Sequence, residues 1–278
     1  MQKIPIGNWI EELINYIINN SENYFRIISD FINTLINYII DKFEEIPPLI
    51  LILIFLIIFY LIKKNLKNTI IIAVGFFLIL NLGYWRESIE TVTLVLISTF
   101  FSTIFGLPIG IFCAHRPKAY SLLKPILDLM QTVPTFVYLI PTLILFGLGI
   151  APGIFSTIIF SMPSVIRLTY LGINKVPNSL LEVADSFGAG NWKKLWTIEI
   201  PFAKHSILTG ISQCIMLSLS MTVIAALVGA DGLGKSVIQA LNTVNIVKGF
   251  ESGLVIVIIA IILDRILYES NKKLGESV

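Results

Sequence analysis

From residue 47 to residue 268 the chain is laid out as seven apolar blocks separated by short charged or turn-forming stretches. They run over about 47–62, 68–85, 88–113, 126–148, 152–174, 204–228 and 251–268. A helix needs about 20 apolar residues to cross a bilayer. In hydrocarbon every backbone N–H and C=O must find a partner within the protein, which a helix provides for itself. The blocks therefore predict an all-α integral membrane protein with about seven spans. Charged residues make up only 14% of the chain, against about 25% in soluble domains.

The formal net charge is +2, which gives no basis for binding polyanions, and nothing points to nucleic acid. Cys113 and Cys214 both fall within apolar blocks and read as buried packing thiols rather than a disulfide or metal site. His115 and His205 stand alone near block ends and read as interfacial residues, not ligands. The N-terminus lacks the basic region, apolar core and small-residue cleavage site of a secretory signal, so no cleavable leader is expected.

Residues 1–46 have a different character from the rest of the chain. Apolar residues recur at Ile10, Leu13, Ile14, Ile17 and Ile18, then at Ile28, Ile32, Leu35, Ile36, Ile39, Ile40 and Phe43. Gaps of three and four are helical. Asn15, Asn19, Asn20, Glu22, Asp30, Asn33, Asn37, Asp41 and Lys42 fill the opposite face. This pattern predicts an amphipathic segment lying in the membrane interface. The rival is a short span near Phe31–Ile40, against which Asn33 and Asn37 count, because amides are costly in lipid. Residues 47–85 then read as two accessory spans, 86–270 as the core, and 271–278 as a tail.

Loop charge sets the orientation. Lys63, Lys64 and Lys67 follow the first span, and Arg116, Lys118 and Lys124 the third. Arg167, Lys175, Lys193, Lys194 and Lys204 surround the loop after the fifth, and Arg265, Lys272 and Lys273 end the chain. The opposite side holds Lys3, Arg26, Lys42, Arg86, Lys235 and Lys248. The richer side is cytoplasmic, which puts the N-terminus outside and the C-terminus inside.

One cytoplasmic loop carries an unusual pattern, E-x-A-x₃-G-x₉-I-x-I-P, made by Glu182, Ala184, Gly188, Ile198, Ile200 and Pro201. Ser179 to Glu182 reads as a capping box. Gly188 fits the left-handed position that ends a helix. Asn191 reads as the cap of a second helix with Trp192, Leu195 and Trp196 on one face, ended by Pro201. A plain connecting hairpin is the simpler reading, but two tryptophans on a cytosolic helix call for a partner surface.

The spacing resembles the EAA loop of permease subunits of ABC importers, here residues 178–201. Further blocks make the chain similar to the glycine betaine/proline betaine branch over about 84–268. They include Gly106-Leu-Pro-Ile-Gly110, Leu127-Asp-Leu-Met-Gln-Thr132, Phe136-Val-Tyr-Leu139, Ile166-Arg-Leu-Thr169, Ile215-Met-Leu-Ser-Leu-Ser-Met221, Ala226-Leu-Val-Gly-Ala230 and Ala260-Ile-Ile-Leu-Asp-Arg265. Two departures are Val183 before Ala184 in the triplet, and Asp231 where the family usually has glycine.

The resemblance implies a type I importer permease fold in a bacterial cell membrane. It implies a homodimer, with two ATPase subunits gripping Glu182, Ala184, Gly188, Trp192, Trp196, Ile198 and Pro201. An extracytoplasmic substrate-binding protein would deliver a quaternary ammonium osmoprotectant. ATP and magnesium would belong to the ATPase, so this chain would be no enzyme and hold no cofactor. Candidate path residues are Gln131, Phe136 and Tyr138 in the fourth span and Gln213, Ser218, Ser220 and Met221 in the sixth. Polar groups inside spans face cavities or neighbouring helices, and interhelical packing is the competing role. A choline or carnitine permease, or a channel or scaffold without an ATPase, are the alternatives.

Gly229-Ala-Asp-Gly-Leu-Gly234-Lys235-Ser236 satisfies the P-loop pattern. A P-loop needs a parallel sheet, a carboxylate for magnesium and a soluble domain to hold them. Placed outside the membrane between the last two spans, it reads instead as a glycine-rich turn.

Overall fold

The structure, a computed structural model, describes residues 6–275, with side chains from 23 to 267 and those of Trp9, Glu12 and Tyr16. Lys3, Lys272, Lys273 and the apolar positions Ile10, Leu13, Ile14, Ile17 and Ile18 lie outside the described side chains, as does the 271–278 tail.

The described residues are helical throughout, with no strand. The order is α1 (Ile6–Glu44), α2 (Pro48–Lys63), α3 (Leu66–Leu82), α4 (Trp85–His115), α5 (Pro117–Thr132), α6 (Leu139–Phe146) and α7 (Ile150–Asn174). It continues with α8 (Asn178–Ser186), α9 (Asn191–Lys194), α10 (Ile200–Ala225), α11 (Leu233–Asn242) and α12 (Ile246–Gly275). Four helical stretches are long and apolar enough to cross a membrane: α4, α7, the run Asn191–Val228, and Ile246–Leu267 of α12. The chain is thus a multi-pass membrane protein.

Two regions depart from the spans read in the sequence. The fourth block is broken: α5 and the stretch Thr135–Phe146 meet at 106°. Val133 has φ −65° and ψ 131°, because a residue preceding proline is pushed out of the helical region, and Pro134 comes next. The second is α1, one helix of 39 residues. Its 23–44 part meets α2 at 94°. Pro47, at ψ 129°, leaves the helical region just before α2 begins.

The centre is the trio α4, α7 and α10. Small residues let these backbones close up, as membrane helices require when hydrophobicity gives no sorting force. A Cβ added at Gly110 would lie 2.7 Å from Thr169 Cβ and 2.8 Å from the Ile166 carbonyl. One at Gly172 would lie 2.8 Å from Ser206 Cβ. Hydroxyls line the same seam, with Ser102 Oγ 3.0 Å from Ser161 Oγ. Cys113 and Cys214 are both buried free thiols. A second cluster, with Ile72, Ile79, Val95, Ile215 and Val255, seats α3 and α12 against this trio.

One face of α1 packs on the bundle. Ile36 and Ile40 are buried with Leu94, Ile154, Ala225 and Ala230, and Ser29 Oγ donates to the Phe146 carbonyl at 3.0 Å. Tyr24, Ile27, Phe31 and Tyr38 are exposed on the rest of that helix. The connections group at two ends. Arg86 pairs with Glu44 at 3.1 Å and Gly149 N donates to the Val228 carbonyl at one. Arg167 pairs with Asp128 at 2.6 Å at the other.

Candidate functional site

Pro177 precedes α8 as its N-cap, with φ −60° and ψ 134°. The helix begins at Asn178, one residue before the expected cap, so Ser179 makes no capping bond and the capping box does not form. Its C-terminus matches the glycine signal. Gly188 has φ +70°. Gly188 N donates to the Asp185 carbonyl at 2.9 Å and Ala189 N to that of Ala184 at 3.0 Å. This pair of bonds is a Schellman motif, and it needs the left-handed residue that glycine supplies.

The second helix also differs from its expected form. Gly190, not Asn191, is the N-cap, without a side-chain bond. Pro201 does not end the helix. The chain runs from α9 through a π-helical turn at Leu195–Glu199 directly into α10. The wider i to i−5 pattern at that turn, seen in the Ile200 N to Leu195 O bond, comes just before a proline that has no N–H to give. Lys194 Nζ bonds Asp185 Oδ1 at 2.7 Å and ties α9 back to α8.

Inward, Ala184 and Leu195 are buried, and Ile198 is half-buried. Outward, the loop presents Val183, Phe187 at 85% exposure, Trp192 at 73% and Trp196 at 54%. The two indoles meet edge to face, centroids 5.9 Å apart. Glu182 and Pro201 are both exposed. Large aromatic side chains held rigidly on a surface are the usual anchors of protein interfaces.

The structure divides the expected path residues into two groups. Gln213, Ser220 and Phe136 are exposed or nearly so, and Gln131 is half-buried. Gln213 and Ser220 are seven residues apart on α10, two turns along one face. An amide midway along a span is costly against lipid. Ser218 and Met221 have no exposed surface. Met221 packs in a cluster with Leu139, Phe160 and Val228, against which Tyr138 sits. The Tyr138 hydroxyl donates to the Met130 carbonyl at 2.8 Å, across the broken helix. In this conformation Ser218, Met221 and Tyr138 pack the interior, while the other four lie on the surface.

The glycine-rich stretch 229–236 is a turn leading into α11, with Gly229 at φ +92° and Gly232 at φ +108°. Leu233 N donates to Thr91 Oγ1 at 2.9 Å. Lys235 pairs with Asp231.

Sequence reasoning missed one contact of the loop. Glu199 is buried and its Oε2 lies 2.8 Å from Nε2 of His115. Glu199 occupies the free position between Ile198 and Ile200, and its partner is distant in sequence, so neither carries a local signal.

The molecule is an all-helical membrane bundle whose two central helices, α7 and α10, are joined by a loop that presents exposed aromatic side chains. Residues 106–273 match the family described as binding-protein-dependent transport system inner membrane component, and the chain belongs to that family. Its sequence is 43% identical over 273 residues to the glycine betaine/carnitine transport permease protein GbuB of Listeria monocytogenes, covering 97% of this chain and 96% of that one. Over 193 residues it is 47% identical to the glycine betaine transport system permease protein OpuAB of Bacillus subtilis, covering 69% and 68%. It is similar in fold to a chain of the MetNI methionine ABC transporter, with TM-score 0.60 and 19% identity over 70% of this chain and 96% of that one.

Proposed function

We propose that this chain is the permease subunit of an ABC importer for glycine betaine and related quaternary ammonium osmolytes. The carrying observation is the match to a betaine/carnitine permease along almost the whole chain. ATP hydrolysis resides in a separate ATPase, and this subunit converts its closure into helix movement. Two copies form the pathway, because each chain has one coupling loop for two ATPases, and an external receptor delivers the cargo. The exposed Gln213 and Ser220 face supports this pairing, since a second copy or a watered path would cover it. Glycine betaine has no N–H donors, so a wide, weakly polar path suffices and selectivity sits in the receptor. Carnitine is a second cargo reading, favoured by the name of that same relative.

The test is uptake of labelled glycine betaine by vesicles holding permease, ATPase and receptor. ATP-dependent uptake that needs all three is expected, with competition by carnitine if both are carried. Transport of amino acids or sugars without betaine would overturn the cargo.

The loop charges support a cytoplasmic 175–203 and an α1 lying along the outer surface. In a version without Cys113 and Cys214, a cysteine at Lys193 should react with an impermeant thiol reagent only after the cytoplasmic side is opened. One at Asn242, after the glycine-rich turn, should react from outside. Labelling of both from one side would reject this topology.

A further inference from the structure

Of the carboxylates in segment 178–199, Glu182 and Asp185 keep contact with solvent. Glu199 alone turns inward, its side chain 8% exposed against His115. A buried carboxylate without a partner is costly, and the geometry assigns the partner's protons. His115 Nδ1 lies 2.9 Å from the Ile111 carbonyl. A carbonyl only accepts, so Nδ1 carries a proton. Nε2 lies 2.8 Å from a carboxylate oxygen, so a second proton sits between the two groups. Whichever group holds it, the two side chains are joined by a short hydrogen bond. Among the described residues it is the only side-chain hydrogen bond that leaves 178–199, the others closing within the loop.

The place of this bond matters. The loop joins α10 through the π-helical turn 195–199, a distortion of the regular helix in the middle of the lever. His115 is the last residue of α4, a helix of 31 residues, which is about 46 Å long at 1.5 Å per residue. Near its far end, Thr91 receives the hydrogen bond from the glycine turn. Between them, Gly110 seats α4 against α7. The loop, the central trio and the opposite mouth are thus joined through one rod.

We infer that the His115–Glu199 bond is the strut that passes movement of the docking loop to α4, bracing the π-helical joint from the side. Both are positioning residues for coupling, distinct from the exposed aromatic surface that docks. The inference rests on that loop being where the ATPase binds.

The test uses the whole complex in vesicles, reading betaine imported per ATP hydrolysed. His115→Ala and Glu199→Ala should keep the ATPase bound and hydrolysing, while cargo per ATP falls at least about fivefold, the lower end of measured couplings between sites. The double variant should be no worse than either single one, since both remove the same bond. His115→Gln, whose amide still donates to Glu199, should recover most of the ratio. An unchanged ratio in both alanine variants overturns the strut. Release of the ATPase by them overturns it too, since the bond would then shape the docking surface. Failure of the unaltered chain to bind an ATPase would instead sink the docking reading beneath it.

Discussion

Replacing Trp192 and Trp196 together by alanine is expected to strip the ATPase from the permease while leaving the chain folded in the membrane. Both indoles are largely exposed and their principal ring contact is with each other, so the isolated subunit loses little packing. Surface changes of this kind usually alter stability by less than about 0.5 kcal/mol. At an interface the same rings are anchors, and truncating one costs about 2 kcal/mol or more, roughly 30-fold in affinity. Because the rings touch, their effects will not simply add. Gly188→Val should act on the same surface by another route. A branched side chain at φ +70° is strained by about 1–2 kcal/mol, which loosens the turn that sets α8 against α9. The measurement is ATPase retained on the tagged permease, with uptake read in parallel. Full retention and normal uptake in the double tryptophan variant would remove the docking surface from this loop.

The second large effect separates packing from nucleotide chemistry in 229–236. A Cβ at Gly234 would stand 2.6 Å from the Thr222 carbonyl oxygen and 2.7 Å from Val223 Cα. Both are backbone atoms of α10 that cannot swing aside, so Gly234→Ala should lower stability by about 1–3 kcal/mol or more. Lys235 is half-exposed and its partner Asp231 likewise. Lys235→Ala should therefore cost about 0–1 kcal/mol, and neither the parent nor this variant should bind ATP alone. Thermal unfolding in detergent reads the first effect, and equilibrium binding of labelled ATP the second. Saturable ATP binding that Lys235→Ala abolishes would restore the P-loop. A Gly234→Ala chain as stable as the parent would contradict the packing account.

The residues and the structure agree unevenly on the loop. Gly188 was legible because its φ requirement is local and few residues meet it. The capping residues were not. Pro177 fixes the start of α8 two positions early and leaves Ser179 inside the helix. Pro201 looked like a stop, yet the π-helical turn before it absorbs the missing N–H and the helix runs on. The same ambiguity runs the other way at Pro134, where a span read as continuous turns by 106°. Proline marks a place where the regular helical pattern must change. Whether the chain bends or adjusts depends on what packs around it.

Among the candidate path residues, composition could select serine, glutamine and methionine but could not say which face each occupies. Ser218 and Ser220 are two residues apart, one wholly buried and the other exposed, because successive positions on a helix point in different directions.

The all-helical membrane class and the helix-ending glycine of the 178–201 loop are legible in the residues alone. They depend on local quantities: runs of apolar residues and one glycine at a fixed offset. Packing in three dimensions settled the break in the fourth span, the separation of path candidates into surface and interior, and the close-packed role of Gly234. It also settled the pairing of His115 with Glu199. These depend on which helices come together, and contacts between residues far apart in the chain leave no pattern along it.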